Sequence, residues 1–257
     1  MSTVALKKSG QSVRDQVSPE EWAVRVDLAA AYRLVALHGW DDMIFTHISA
    51  RVPNSDHHFL INPYGYMFEE ITASSLVKVD LDGNILMDTE YYINPAGYTI
   101  HSAVHGAREE AGCVLHLHTD AGVGVSCQEQ GLLPISQNAL TVIEDVAYHA
   151  YEGIALNLDE RERLVADIGT KNMMILRNHG TLAIGTNVAE AWTRIFFLER
   201  ACSQQIAALS GGGKIVVPPE SVQRTTMDQG RGLAGTAVLS WPGLLRKLDR
   251  LDPSFRS

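Results

Sequence analysis

The stretch Cys113-Val114-Leu115-His116-Leu117-His118 is an apolar run interrupted only by two histidines. Short runs of this kind read as buried strands. Side chains alternate between the faces of a strand, so imidazoles at i and i+2 point the same way and can converge on one ion. A second apolar strand is predicted over Met173–Leu176 and leads into Arg177-Asn178-His179-Gly180, which puts a third imidazole at a strand-to-turn transition. Three neutral imidazoles are a common ligand set for a divalent ion that keeps one position open to water or substrate.

Outward from these two strands the chain alternates between helical and extended patterns. Ser18-Pro19-Glu20-Glu21 marks a helix start, with a capping hydroxyl, a proline suited to the first turn and two carboxylates at the positive end of the dipole. Trp22, Val26, Ala30, Leu34 and Leu37 recur at helical spacing, and Gly39 supplies the stop. Strands are predicted over 44–52 and 59–61, followed by the turn Asn62-Pro63-Tyr64-Gly65. Asp82-Gly83-Asn84 joins 76–81 to 85–87 as a hairpin. Helices are expected from Gly97 to about Arg108, near 139–150 and across 159–168. The longest helix is predicted over about 187–209, ended by Gly211-Gly212-Gly213. Strands interleaved with helices predict a layered α/β sheet domain. The expected organisation is an N-terminal arm over 1–18, one domain over 19–213, and a tail over 214–257 that packs on the domain or on a neighbouring subunit. That tail contains Pro218-Pro219 and a predicted turn at Trp241-Pro242.

Composition narrows the function classes. The 257 residues carry 21 Lys and Arg against 30 Asp and Glu, a formal charge of −9, so the bulk field repels nucleic acid and anionic membranes. The sequence has no apolar run of about 18 residues, the length of an ordinary transmembrane helix. The first 17 residues have no apolar stretch after Lys7-Lys8, so no secretory signal is expected. Cys113, Cys127 and Cys202 have no CxxC spacing, which argues against a disulfide framework or a cysteine-built zinc site and favours a cytoplasmic location.

Several ordered segments carry a resemblance. Phe45-Thr46-His47-Ile48-Ser49-Ala50-Arg51, Ile61-Asn62-Pro63-Tyr64-Gly65, Asn94-Pro95-Ala96-Gly97-Tyr98-Thr99-Ile100-His101-Ser102, Val114-Leu115-His116-Leu117-His118-Thr119 and Arg177-Asn178-His179-Gly180 together resemble the class II aldolase/adducin family over roughly 20–210. The resemblance implies a three-layer α/β/α fold around a mixed, largely antiparallel sheet. It also implies one divalent metal per chain on His116, His118 and His179, and a homo-oligomer, tetramer favoured, with its site at a subunit interface. Zinc is favoured by the resemblance, and the imidazole set also suits Fe(II) or Mn.

The departures from the family's sugar-phosphate aldolases are informative. Those enzymes place a general-base glutamate nineteen residues before the first histidine of the pair, and here that position is Gly97. Their proton-donor tyrosine has no counterpart in Ser136-Gln137-Asn138, and their phosphate-binding turns appear as Thr46-His47 and Tyr64-Gly65. Thr46, Asn62, Tyr64, Gly65 and Gly97 are the expected substrate-binding positions, in a pocket less suited to phosphate. His47, His101 and Tyr98 are the candidate proton shuttles, the last two one turn apart on one predicted helix. The expectation is a metal-dependent lyase, of aldol or decarboxylase type, acting on a small non-phosphorylated oxo or hydroxy acid. Two rivals stand beside it: an adducin-like, non-catalytic binding protein with a structural metal or none, and a non-haem Fe(II) oxygenase on the same fold.

Overall fold

In the computed structural model of the protein, residues 12–154 and 158–257 are described, the side chains of 95–98 excepted. A short helix α1 (Val13–Gln16) precedes α2 (Pro19–Leu37), whose first turn is capped by Ser18 accepting from the Glu21 amide. Then follow β1 (His47–Arg51), β2 (Phe59–Ile61), β3 (Val77–Val79), α3 (Pro95–Ala107), β4 (Cys113–Leu117), α4 (Asp120–Ser126), α5 (Gln137–Val142), β5 (Val146–His149), α6 (Glu160–Ile168), β6 (Met173–Leu176) and β7 (Gly180–Gly185). The chain ends with α7 (Val188–Ser210), capped by Asn187, then α8 (Glu220–Gly230) and α9 (Ala237–Leu251). Among the described residues no helix is long and apolar enough to cross a membrane.

The sheet has seven strands in the order β3-β2-β1-β4-β7-β6-β5, and only β5 and β6 run parallel. Alternation along β4 sorts the core into two layers. Cys113, Leu115 and Leu117 face a cluster with Leu28 and Tyr32 of α2, Val125 of α4 and Trp192, Ile195 and Leu198 of α7. Val114 on the opposite face meets Ile100 and Val104 of α3, and Leu164 and Ile168 of α6. Helices on both faces of a mixed, mostly antiparallel sheet give the expected three-layer α/β/α arrangement.

Two local expectations fail and one strand goes unmarked in the sequence pattern, each for a physical reason. The helix near 139–150 stops at Val142, and residues 146–149 are strand β5. The Asp145 carboxylate accepts from the amide and side chain of Asn172, which pins the chain beside β6, and the sheet edge then outweighs local helical periodicity. The strand-to-turn transition at His179 is as expected, and the unmarked strand β7 opens directly after it at Gly180, whose lack of a side chain allows close backbone approach, since a Cβ there would lie 2.2 Å from the Leu117 carbonyl oxygen. Trp241-Pro242 is not a turn but lies inside α9, where the ring removes the bond to the Val238 carbonyl, on a residue that is 71% exposed and open to water. Trp241 is held by donation of its indole N–H to Asp27 at 2.9 Å. Trp241, Leu248 and Phe255 are buried in the core layer of α2 and α7, so the tail packs on its own domain.

Candidate metal centre

The three histidines predicted to converge do so. His116 lies on β4, His118 just past its end, and His179 in the tight link between β6 and β7, where Asn178 takes the left-handed conformation (φ 55°) that asparagine tolerates. Their potential ligand atoms all lie within 4.8 Å of one another. A tetrahedral ion with Zn–N near 2.0–2.1 Å needs nitrogens roughly 3.4 Å apart, so small ring rotations suffice.

The hydrogen-bond partners fix which nitrogens are bare. His116 Nδ1 is 2.9 Å from the Thr181 carbonyl oxygen, which can only accept, so this nitrogen carries the proton. His118 Nδ1 likewise donates to the Asp42 carboxylate at 3.0 Å. Both Nε2 atoms therefore present lone pairs, and they face each other at 2.9 Å. Burial, and after it the proximity of the ionisable His179 and His118 rings, holds the His116 pKa well below the ordinary 6.5. Burial, then His118 and His149, pushes His179 down to about 4. A proton is thus a poor bridge between His116 and His118, and a shared cation is a good one.

The triad opens into a cavity of about 440 Å³ that is also lined by Asp42, Thr46, His47, Asn94, Tyr151 and Asn178. Among its described lining residues there is no lysine or arginine. Thr46 enters β1 with φ 64°, a strained conformation for a β-branched residue. His47 opens β1 directly opposite His116 in the sheet register.

Behind His47, α3 and β1 enclose a polar seam. His105 Nδ1 donates to the Ala111 carbonyl at 3.1 Å, its Nε2 accepts from the Ser49 hydroxyl at 2.8 Å, and Ser49 Oγ accepts from His101 Nδ1 at 2.6 Å. His101 is thereby held with a bare Nε2, its ring edge-on to His47 with centroids 6.0 Å apart. Thr46 Oγ1, His47 Nε2 and His101 Nε2 are buried without a hydrogen-bond partner among the described residues. Thr46 and His47 line the cavity, where a substrate hydroxyl or water would give their open atoms a partner, whereas His101 is fully buried behind them, outside the described lining.

Burial pushes His105 and, with His118 as a lesser cause, His47 down to about 3, and drives His101 well below 6.5. With His116 and His179, these imidazoles are neutral in the fold and ionise near 6.5 in the unfolded chain. Folded values below unfolded ones mean that the unfolded chain binds protons first, so stability is complete above about pH 6.5 and falls as the pH drops toward 4. Each group contributes about 1.4 kcal/mol per pH unit in that window. Thermal melts of chelator-treated protein are expected to show a steep fall in Tm below pH 6.5; a flat Tm between pH 7.5 and 5 would refute the assignment of neutral, buried imidazoles.

Of the remaining predicted positions, Asn62, Tyr64 and Gly65 lie away from the described cavity lining. Asn62 is buried and accepts from the Tyr32 hydroxyl at 2.9 Å, bracing β2 against α2 outside the cavity lining. Tyr64 and Gly65 form a surface turn that does not line the cavity either. Gly97 and Tyr98 lie in α3 with side chains outside the described residues. Asp42 and the Thr181 carbonyl, which orient His118 and His116, went unread in the sequence. Asp42 reaches the site only through the fold, and a backbone carbonyl leaves no residue-type signal.

Comparison with known proteins follows the same lines. Residues 26–206 match the family profile of the Class II Aldolase and Adducin N-terminal domain. The solved structure of an aldolase II superfamily protein from Pseudomonas syringae is 55% identical, covers 96% of this chain and 100% of its own, and superimposes with a TM-score of 0.91. L-fuculose 1-phosphate aldolase from Glaciozyma antarctica is 27% identical, with 93% of each chain covered and a TM-score of 0.80. Alpha-adducin from Mus musculus is 46% identical over 196 residues, which is 75% of this chain and 26% of the adducin.

Proposed function

Because the chain belongs to the class II aldolase and adducin family, we propose that it is a divalent-metal-dependent lyase that cleaves or decarboxylates a small oxo or hydroxy acid carrying no phosphate. The observation that carries this reading is the opposed pair of lone pairs on His116 and His118, beside His179, in a cavity with room for a small acid. When bound, an ion on these three imidazoles supplies Lewis-acid stabilisation of negative charge developing on a substrate oxygen. Zinc is favoured by the aldolase relationship, with Fe(II) and Mn as the alternatives that imidazole accepts.

His47 is the group assigned to move the proton, since it lines the cavity opposite His116 and is neutral at physiological pH. His101 backs it with an Nε2 lone pair whose orientation Ser49 holds. Tyr98 is the alternative donor, and Thr46 contributes an open hydroxyl for a substrate oxygen. Asn62, Tyr64 and Gly65 retain a substrate role only where a neighbouring copy completes the pocket, and Gly97 keeps its proposed substrate role on α3, between the cavity-lining Asn94 and Ile100. The lack of lysine or arginine along the described lining supports a substrate whose charge is no more than a carboxylate. The proposal includes a homo-oligomer, tetramer favoured, and a surface groove walled by Trp192, Phe196, Phe197 and Leu244 offers apolar area for such contacts.

The experiment is incubation of zinc-loaded and chelated protein with a panel of short 2-oxo and 2-hydroxy acids in D2O, followed by proton NMR. Exchange at the carbon next to the oxo group, carbon–carbon cleavage or loss of CO2 is expected only with loaded protein. Stoichiometric metal without turnover on any acid would favour the second reading, a non-catalytic binding protein, which the adducin similarity motivates. Iron-dependent oxygen uptake would select an oxygenase instead.

A further inference from the structure

A buried carboxyl group lies behind the triad rather than in it. Glu199 of α7 is fully buried. Its Oε2 accepts from the Thr119 hydroxyl at 2.5 Å, and its Oε1 accepts from the Thr181 hydroxyl. Thr119 follows His118 in sequence, and its Oγ1 also accepts from the Gly122 amide at 2.9 Å, capping α4. Thr181 lies two residues after His179, and its carbonyl is the group that holds His116 Nδ1. One carboxylate therefore bridges the segments that set all three imidazoles.

We propose that Glu199 is a positioning residue for the metal centre, tying the β4 and β7 segments together and supplying negative charge behind the three imidazoles. The proposal rests on the reading that His116, His118 and His179 hold a divalent ion. One observation separates this role from plain packing. Both hydrogen-bond partners of the carboxylate are neutral hydroxyls, an arrangement that leaves a fully buried charge without an opposite one in contact. Burial accordingly pushes its pKa up to about 7. Gly122 also packs directly over it, since a Cβ at that position would lie 3.0 Å from Glu199 Oε1 and 2.9 Å from Thr119 Oγ1. A glutamine of the same shape would fill this space and keep hydrogen bonds to both hydroxyls, one as acceptor and one as donor. What glutamate adds is a group that can ionise, and a dication on three neutral ligands, where Asp42 at His118 is another carboxylate, would favour that charged form.

The test compares zinc affinity, by competition with a chromophoric chelator, and apo-protein Tm in the wild type, Glu199→Gln and Thr181→Val. Glu199→Gln is expected to keep the apo Tm within a few degrees, or raise it, while weakening zinc binding about 10- to 100-fold, as loss of an outer-sphere partner does. Thr181→Val keeps the carbonyl to His116 and removes only the hydroxyl; it is expected to weaken zinc binding several-fold, and it decides the matter if Glu199→Gln does not fold. Wild-type affinity in the variant that folds would overturn the role of Glu199. Absence of zinc binding by the wild type would instead overturn the metal-centre reading on which it rests.

Discussion

Replacing His116 by alanine is expected to abolish metal-dependent turnover and to weaken zinc binding by at least about a thousandfold, since loss of a mere outer partner of a ligand already costs 10–100-fold. His116 is the most buried of the three ligands, at 3% exposure, and the one whose ring is set from both ends: Nδ1 by the Thr181 carbonyl, Nε2 by its approach to His118. Alanine leaves two imidazoles, too few to retain an ion against water. The apo protein is expected to change less. Loss of the bond to Thr181 costs about 1–3 kcal/mol for a buried carbonyl left unpaired, and removal of the facing lone pair recovers part of it. Circular dichroism and melting of the metal-free variant check this, and a chelator titration checks the affinity. His47→Asn is the informative contrast, with zinc binding retained and turnover lowered by roughly 10²–10⁴-fold, the usual contribution of a positioned acid–base group. Loss of zinc in His47→Asn would reassign His47 to the ligand set.

Gly180→Ala carries the second largest expected effect, and it acts through the backbone. A Cβ at this position would sit 2.2 Å from the Leu117 carbonyl oxygen and 3.1 Å from the His118 ring. No side-chain rotation removes the first clash, so β4 and β7 must separate where Leu117 pairs with Thr181. The cost is about 3 kcal/mol or more, in the range of severe overpacking, equivalent to a fall in Tm of roughly 6–12 °C for a chain of this size. Because His118 and His179 flank the separated strands, zinc affinity should fall with stability. Gly213→Ala is the control, since a Cβ there would have open space for 4 Å around it and its φ is not positive; its Tm should stay within about 1 °C, as for ordinary surface changes.

The parts of this structure legible in the sequence are those whose signal is local. The capped start of α2 at Ser18, the span of α7 after Asn187, the short strands β2 and β6, and the alternation that turns His116 and His118 to one side all follow from residue spacing. Strand β5 escaped because its conformation is imposed by pairing with β6 and by Asp145 at its entry. Strand β7 escaped because glycines at both ends resemble turn signals, whereas Gly180 and Gly185 are required by neighbouring backbone, with a Cβ at Gly185 only 2.3 Å from the Ala191 amide. The helix across Trp241-Pro242 is held by tertiary anchoring of Trp241 to Asp27, which no local pattern reveals. In the site, the imidazoles were readable because their chemistry is rare and their spacing regular. Asp42, the Thr181 carbonyl and the Ser49 bridge between His101 and His105 were not, because each is brought into place by strand register or by packing of α3 on β1.

The most direct test of the central claim is elemental analysis of the wild type after equilibrium dialysis against zinc, iron and manganese in turn, beside His116→Ala and His179→Ala. The account predicts about one divalent ion per chain in the wild type, as a single three-imidazole site requires, and loss of that ion in both variants with their folds intact. No bound metal in the wild type, or equal retention in the two variants, would contradict it.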